Sequence, residues 1–137
     1  MYQPKILKPK KSHKGKNFRK IASVNFSNHG SIKLISLEPG ILTSNHFKVI
    51  KSTIKKFLKK KGSVLIIKYP QTPVTKKPLE VRMGKGKGSI NFWSCRVGLG
   101  CLLCKIETLN SVLAVKSLLA LQNKLPVRTK IVNNLKL

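Results

Sequence analysis

Few residues in this chain could do covalent chemistry. The 137 residues hold three cysteines (Cys95, Cys101, Cys104), three histidines (His13, His29, His46), three glutamates (Glu38, Glu80, Glu107) and no aspartate. Cys101 and Cys104 form a Cys-x-x-Cys pair, the spacing of zinc and dithiol redox sites. A structural zinc site needs four ligands, and no second pair stands at metal spacing. The pair lies inside "CLLCKI", which reads as a strand, so the sequence favours small buried hydrophobes over ligands. An odd cysteine count without a secretory signal argues against a disulfide scaffold. General acid–base and two-metal catalysis need carboxylates and imidazoles placed together. Scattered glutamates cannot supply them, and no Ser-His-Asp set exists without Asp. The isolated histidines read as solvent- or RNA-facing groups. The sequence therefore predicts no enzyme, no cofactor, no metal and no small-molecule substrate.

One segment does point to chemistry of another kind. "VRMGKGKGSINFW", residues 81–93, interleaves glycines with cations and then runs into two aromatics. It is not a P-loop, because its glycines stand two apart and no Lys-Ser pair follows at the required place. It is not a dinucleotide fingerprint either, because the third glycine comes one residue early and a strand follows. What survives is a phosphate-hugging loop. Glycine lets the backbone approach a ligand closely and take positive φ, and its N–H groups can face phosphate oxygens. Arg82, Lys85 and Lys87 supply countercharge. The plainer alternative is a loop of solvated lysines; the charge of the whole chain favours phosphate. Of the aromatics, Trp93 is expected in the core and Phe92 on the other side of the same strand.

That charge is the dominant feature. Against three glutamates stand 29 Lys and Arg, giving a net charge of +26. Such an excess cannot be paired internally, and self-repulsion opposes folding unless a polyanion neutralises it. Nucleic acid is the first candidate and anionic membrane the second. The cations are spread out: eight in residues 1–20, seven in 48–61 and five in 76–87. A protein surrounded by phosphate on several sides fits this distribution better than a histone-like tail. Lysine outnumbers arginine 25 to 4, which phosphate recognition alone would not choose. The skew, with many Asn and Ile, suggests AT-rich coding. The basic start has no apolar h-region and is broken by proline, so neither a secretory signal nor a cleavable presequence is expected. No apolar run reaches transmembrane length. The helix around 44–61 could lay an apolar face on lipid, but covering a sheet is the simpler use of that face.

The elements that must position these groups follow from periodicity. Residues 1–22 read as an extended basic arm that orders against a polyanion. Residues 23–137 read as one domain. "SIKLISL" (31–37) alternates as a strand, and 38–40 turns. Residues 42–62 form a helix capped by Thr43 or Ser44 and closed by Gly62, with Phe47, Ile50, Ile54, Phe57 and Leu58 on one face. Lys51, Lys55 and Lys59 stand on its remaining surface. "SVLIIKY" (63–69) is a buried strand. The three prolines of 70–78 exclude regular structure there. A strand at 90–97, a tight hairpin turn at Gly98 and Gly100, and a strand at 101–106 follow. A helix over 108–124 stops before Pro126, and "VRTKIV" is a last strand. The predicted class is α+β, two helices packed on a mixed, mainly antiparallel sheet.

"PVTKKPLEVRMGKGKGSINFW" resembles the signature of the large-subunit ribosomal protein sixteen family, bacterial and organellar type. That family shows a Pro-[Ile/Val]-Thr-x-Lys-Pro run, then Val-Arg-Met-Gly-x-Gly-Lys-Gly, then a tryptophan. "QPK" at 3–5 and "HKGKN" at 13–17 resemble its N-terminal arm, "LT" at 42–43 its helix entry, and "KLPVRTKIV" at 124–132 its closing strand. The resemblance implies a hammerhead-type fold. It also implies a structural subunit contacting large-subunit rRNA near the central protuberance and the aminoacyl-tRNA site, among neighbouring ribosomal proteins. On it, Arg82, Met83, Gly84, Lys85, Gly86, Lys87 and Gly88 form a loop approaching tRNA and the peptidyl-transferase region. The rRNA contacts expected are Gln3, Lys5, Lys8, Lys10, Lys11, His13, Lys14, Lys16, Asn17 and Arg19 on the arm, with Lys51, Lys55 and Lys59 on the helix. A rival without the resemblance is a free RNA- or DNA-binding protein, a chaperone or regulator.

The sequence also departs from the family. "HFKVIK" (46–51) lacks the acid and alanines usual in the first helix, and "GLGCLLCKIETLN" (98–110) replaces a Met-Asp-Gly-like corner. These departures and the lysine skew point to an organelle-encoded protein of the mitochondrion, with plastid or bacterial cytoplasm as alternatives.

Overall fold

A computed structural model describes residues 11–13, 15, 31–59 and 61–133. The expected arm contacts Gln3, Lys5, Lys8, Lys10, Lys14, Lys16, Asn17 and Arg19 lie outside the described residues, as does His29. The order is β1 (Ser31–Ser36), β2 (Gly40–Thr43), α1 (Ser44–Leu58), β3 (Ser63–Ile66), β4 (Thr72–Lys76), β5 (Ser89–Val97), β6 (Leu102–Glu107), α2 (Ser111–Gln122) and β7 (Thr129–Asn133). The α+β class and the antiparallel pairing are as expected. The strands divide into two sheets, ordered β3-β6-β1-β7 and β2-β5-β4.

The core is filled from both layers. Ile32, Leu34, Leu103, Cys104 and Ile106 of the larger sheet meet Phe47, Ile50, Ile54 and Leu58 of α1 and Ala114, Leu118 and Leu121 of α2. On α1, Phe57 leaves the expected apolar face and is exposed, while Thr53 is buried and its Oγ1 accepts from Lys124 Nζ at 3.3 Å. Thr43 is the N-cap, and its N–H donates to His46 Nδ1 at 3.1 Å, the reciprocal arm of a capping box. Gly62 does not close the helix. The residue with positive φ is Lys59 (φ 51°), and Gly62 instead lies close to β6, where a Cβ would meet Glu107 O at 3.0 Å.

Two local readings are corrected. Residues 72–76 are a strand despite Pro73. β4 is an edge strand, where the missing proline N–H costs no ladder bond, and the register shift between Val74 and Thr75 absorbs the irregularity. The turn at Gly98 and Gly100 is not a hairpin, because β5 and β6 belong to different sheets. It carries the chain between them: Gly100 (φ 75°) donates to Ser36 O at 2.8 Å and Ser36 N to Cys101 O at 2.9 Å. The true hairpin is β4–β5, and the segment joining its strands, 77–88, contains the Gly/Lys loop. Among the described residues no helix is long and apolar enough to cross a membrane.

Candidate nucleic-acid interface

The base of the loop is fixed by close packing. A Cβ on Gly88 would stand 2.6 Å from the carbonyl oxygen of Lys76, so only glycine lets β4 and β5 meet here. The tip is shaped differently. Gly84 (φ 99°), Lys85 (φ 52°) and Gly86 (φ 82°) are consecutive left-handed residues. Lys77 Nζ donates to Gly84 O and braces this turn from below. Arg82, Met83 and Lys85 are exposed around it, and Met83 is fully so.

The described part of the arm lies against this hairpin. Lys11 Nζ donates to Lys87 O at 2.8 Å, and Lys87 Nζ donates back to Ser12 O. Arg96 Nη2 donates to His13 O at 3.1 Å, and the Gly15 backbone (φ 58°) packs on the same guanidinium. Of the expected arm contacts, Lys11 is thus brought to the Gly/Lys loop, and the His13 backbone to Arg96 on β5. Lys51 and Lys55 on α1 and Lys59 at its C-cap are exposed and line a separate cleft.

Other singled-out residues are structural. Trp93 is only 4% exposed and pairs in register with Pro73, so it is not free to stack on a base; Phe92 is half-buried. All three cysteines are buried thiols. Burial raises Cys95 and pushes Cys104 up to about 12, which keeps that thiol protonated and inert. Burial holds His46 below its ordinary value, consistent with a neutral imidazole accepting the Thr43 N–H. Lys105, in a buried position on β6, pairs with Glu107 at 2.6 Å, and its hydrogen bond and charge hold that carboxyl low. Arg128 pairs with Glu38 at 3.3 Å. The glutamates engaged here are thus tied to structural cations.

Sequence reasoning missed Arg96 and Lys68 as parts of basic surfaces, and Lys77, counted among the cations of 76–87, as a brace of the loop. Arg96 was accessible to it: strand alternation puts Cys95 and Val97 inward and Arg96 out. Lys77 needed the β4–β5 hairpin, which the prolines concealed.

A surface of backbone and ammonium donors with no assembled acid, base or nucleophile can bind a polyanion. Its chain-wide pattern matches the family model Ribosomal protein L16p/L10e over residues 2–132. The chain belongs to this family. Similar proteins include the large ribosomal subunit protein uL16 of Acinetobacter baumannii, 38% identical over 96% of each chain, and that of Paracoccus denitrificans, 39% identical over 96% of each. The uL16 protein of Buchnera aphidicola is 38% identical over 98% of each chain. Members of the L16 family are structural, non-enzymatic components of the ribosome. The L16 match spans both the divergent corner at 98–110 and the loop, so the departures noted in the sequence do not break the family pattern.

Proposed function

We propose that this L16-family chain binds large-subunit rRNA through its basic arm and the lysine face of α1, and presents residues 82–88 to tRNA in the aminoacyl site near the peptidyl-transferase region. The arm, residues 1–22, acts as the rRNA anchor of a single domain, residues 23–137. The observation that carries this reading is the loop itself: an exposed, left-handed Gly-Lys-Gly tip at the end of a β hairpin, with Arg82 and Lys85 exposed around it and Lys87 tying it to the arm. Such a tip offers backbone and cationic donors to phosphate. We further infer a mitochondrial ribosome, supported by the lysine-to-arginine skew and by the departures in α1 and the 98–110 corner.

Sedimentation of a lysate with and without magnesium chelation tests the assembly. The chain should travel with intact ribosomes and then with the large subunit; if it stays at the top of the gradient, or spreads over RNA–protein particles that do not follow the large subunit and that RNase removes, it is a free RNA binder. Fractionating organelles before lysis tests the compartment. Arg82→Ala should slow elongation while leaving large-subunit levels near wild type. Unchanged elongation at normal subunit levels would remove Arg82 from the tRNA-facing role.

A further inference from the structure

A cleft of about 350 Å³ opens between α1 and the segment 62–70, and none of its lining residues belongs to the Gly/Lys loop or the arm. Its size falls in the range of roughly 300–1,000 Å³ typical of small-ligand sites. Phe47, Lys51 and Lys55 stand four apart and stack in a row along a single edge of α1, and Lys59, the residue that caps the helix, follows at its end. Each step along that row rises about 6 Å, close to the step between neighbouring phosphates of one RNA strand. Opposite, Val64 and Ile66 of β3 turn inward, while Leu65 between them is exposed. Lys68 and Tyr69 complete that side. The cleft thus has an apolar floor, one phenol ring and four ammonium groups.

Its charge selects the occupant. No lining residue is acidic, and among the described residues Lys51, Lys55, Lys59 and Lys68 form no ion pair. An apolar peptide or helix would fill the floor but leave four cations uncompensated at its rim. A duplex backbone would meet the cations but leave the floor empty. An unstacked nucleotide uses both, since its base has an apolar face and its phosphates flank it on either side. We propose that this cleft seats one unstacked nucleotide of the large-subunit rRNA. The base lies against Tyr69, Val64 and Ile66, and Lys51, Lys55, Lys59 and Lys68 hold the adjoining phosphates. The proposal rests on the rRNA-binding reading above and gives the α1 lysines a defined partner.

The test uses full-length chain in assembled large subunits. Tyr69→p-benzoylphenylalanine is irradiated, and cross-linked rRNA is mapped by reverse-transcription stops. The expected result is a cross-link to one nucleotide. Base-specific modification of uncross-linked subunits then reads that nucleotide's exposure. Tyr69→Ala should raise its reactivity roughly tenfold, the order of effect of losing one aromatic stack, whereas Leu65→Ala on the outward face should leave it unchanged. Cross-links only to protein, or spread over unrelated nucleotides, in subunits that contain the chain would overturn the seat and leave the ribosomal reading standing. Absence of the chain from large subunits would overturn that reading and the seat with it.

Discussion

A Cβ on Gly88 would stand 2.6 Å from Lys76 O, whereas one on Gly84 meets nothing within 4 Å but would have to accept φ 99°. The two glycines of one loop therefore answer different constraints, and alanine separates them. Gly88→Ala should cost about 1–3 kcal/mol, as overpacking does, and speed amide exchange where Lys76 pairs with Ser89. Gly84→Ala should cost about 1–2 kcal/mol of backbone strain and leave exchange at that pair unchanged. Thermal melts with site-resolved exchange check both. His46 makes a pH-dependent cap. Its Nδ1 accepts the Thr43 N–H only when unprotonated, and its folded pKa lies below the ordinary 6.5. The unfolded chain then binds more protons below that value, so stability is complete above about pH 6.5 and falls as pH drops through the window beneath it. NMR titration should give a depressed imidazole pKa, and His46→Gln, which keeps a capping-box acceptor, should abolish this part of the pH dependence. An imidazole titrating at or above 6.5 would remove the effect.

The first helix and the strands with plain alternation were legible in the sequence, because periodicity reports which face is buried. Phe47, Ile50 and Ile54 gave α1, and Ile32 and Leu34 gave β1. What was illegible depended on partners distant in the chain. Pro73 reads as a strand breaker until β4 is known to be an edge. Gly98 and Gly100 read as a hairpin until their flanking strands are assigned to different sheets. The identity of the Gly/Lys loop was legible from its residue types, but its coupling to the arm was not. That coupling is a reciprocal pair, Lys11 to Lys87 O and Lys87 to Ser12 O, reinforced by Arg96 on His13 O. Residues 11–13 and the loop thus form one surface rather than two independent contacts. Lys87→Met with Arg96→Ala should accelerate amide exchange at residues 12–15 without changing exchange in β6, which lies in the other sheet. Equal exchange at 12–15 in variant and wild type would show that these hydrogen bonds do not hold the arm.

At the scale of the whole molecule, the net charge of +26 has only three glutamates to set against it, and two of them are engaged in the Lys105–Glu107 and Arg128–Glu38 pairs. Salt must then act in opposite directions on folding and on binding. Screening shortens the reach of the repulsion, with a Debye length of about 10 Å at 0.1 M, so the free chain should melt at higher temperature as salt rises. Binding to RNA releases counterions, so its affinity should fall linearly in log salt, by roughly 0.7–0.9 in slope for each phosphate contacted. The slope can therefore count contacts by region. Replacing Lys51, Lys55 and Lys59 with glutamine should reduce its magnitude by roughly 2–3, and replacing Lys5, Lys8, Lys10 and Lys11 by roughly 3–4. The arm variant should also enter large subunits poorly. Together the variants should lower the slope by the sum of the two, because Lys11 meets the β4–β5 hairpin while Lys51, Lys55 and Lys59 line a cleft that shares no residue with it. A combined slope no shallower than that of either variant alone would mean that arm and helix address the same phosphates, and that the chain meets RNA on one face rather than on several.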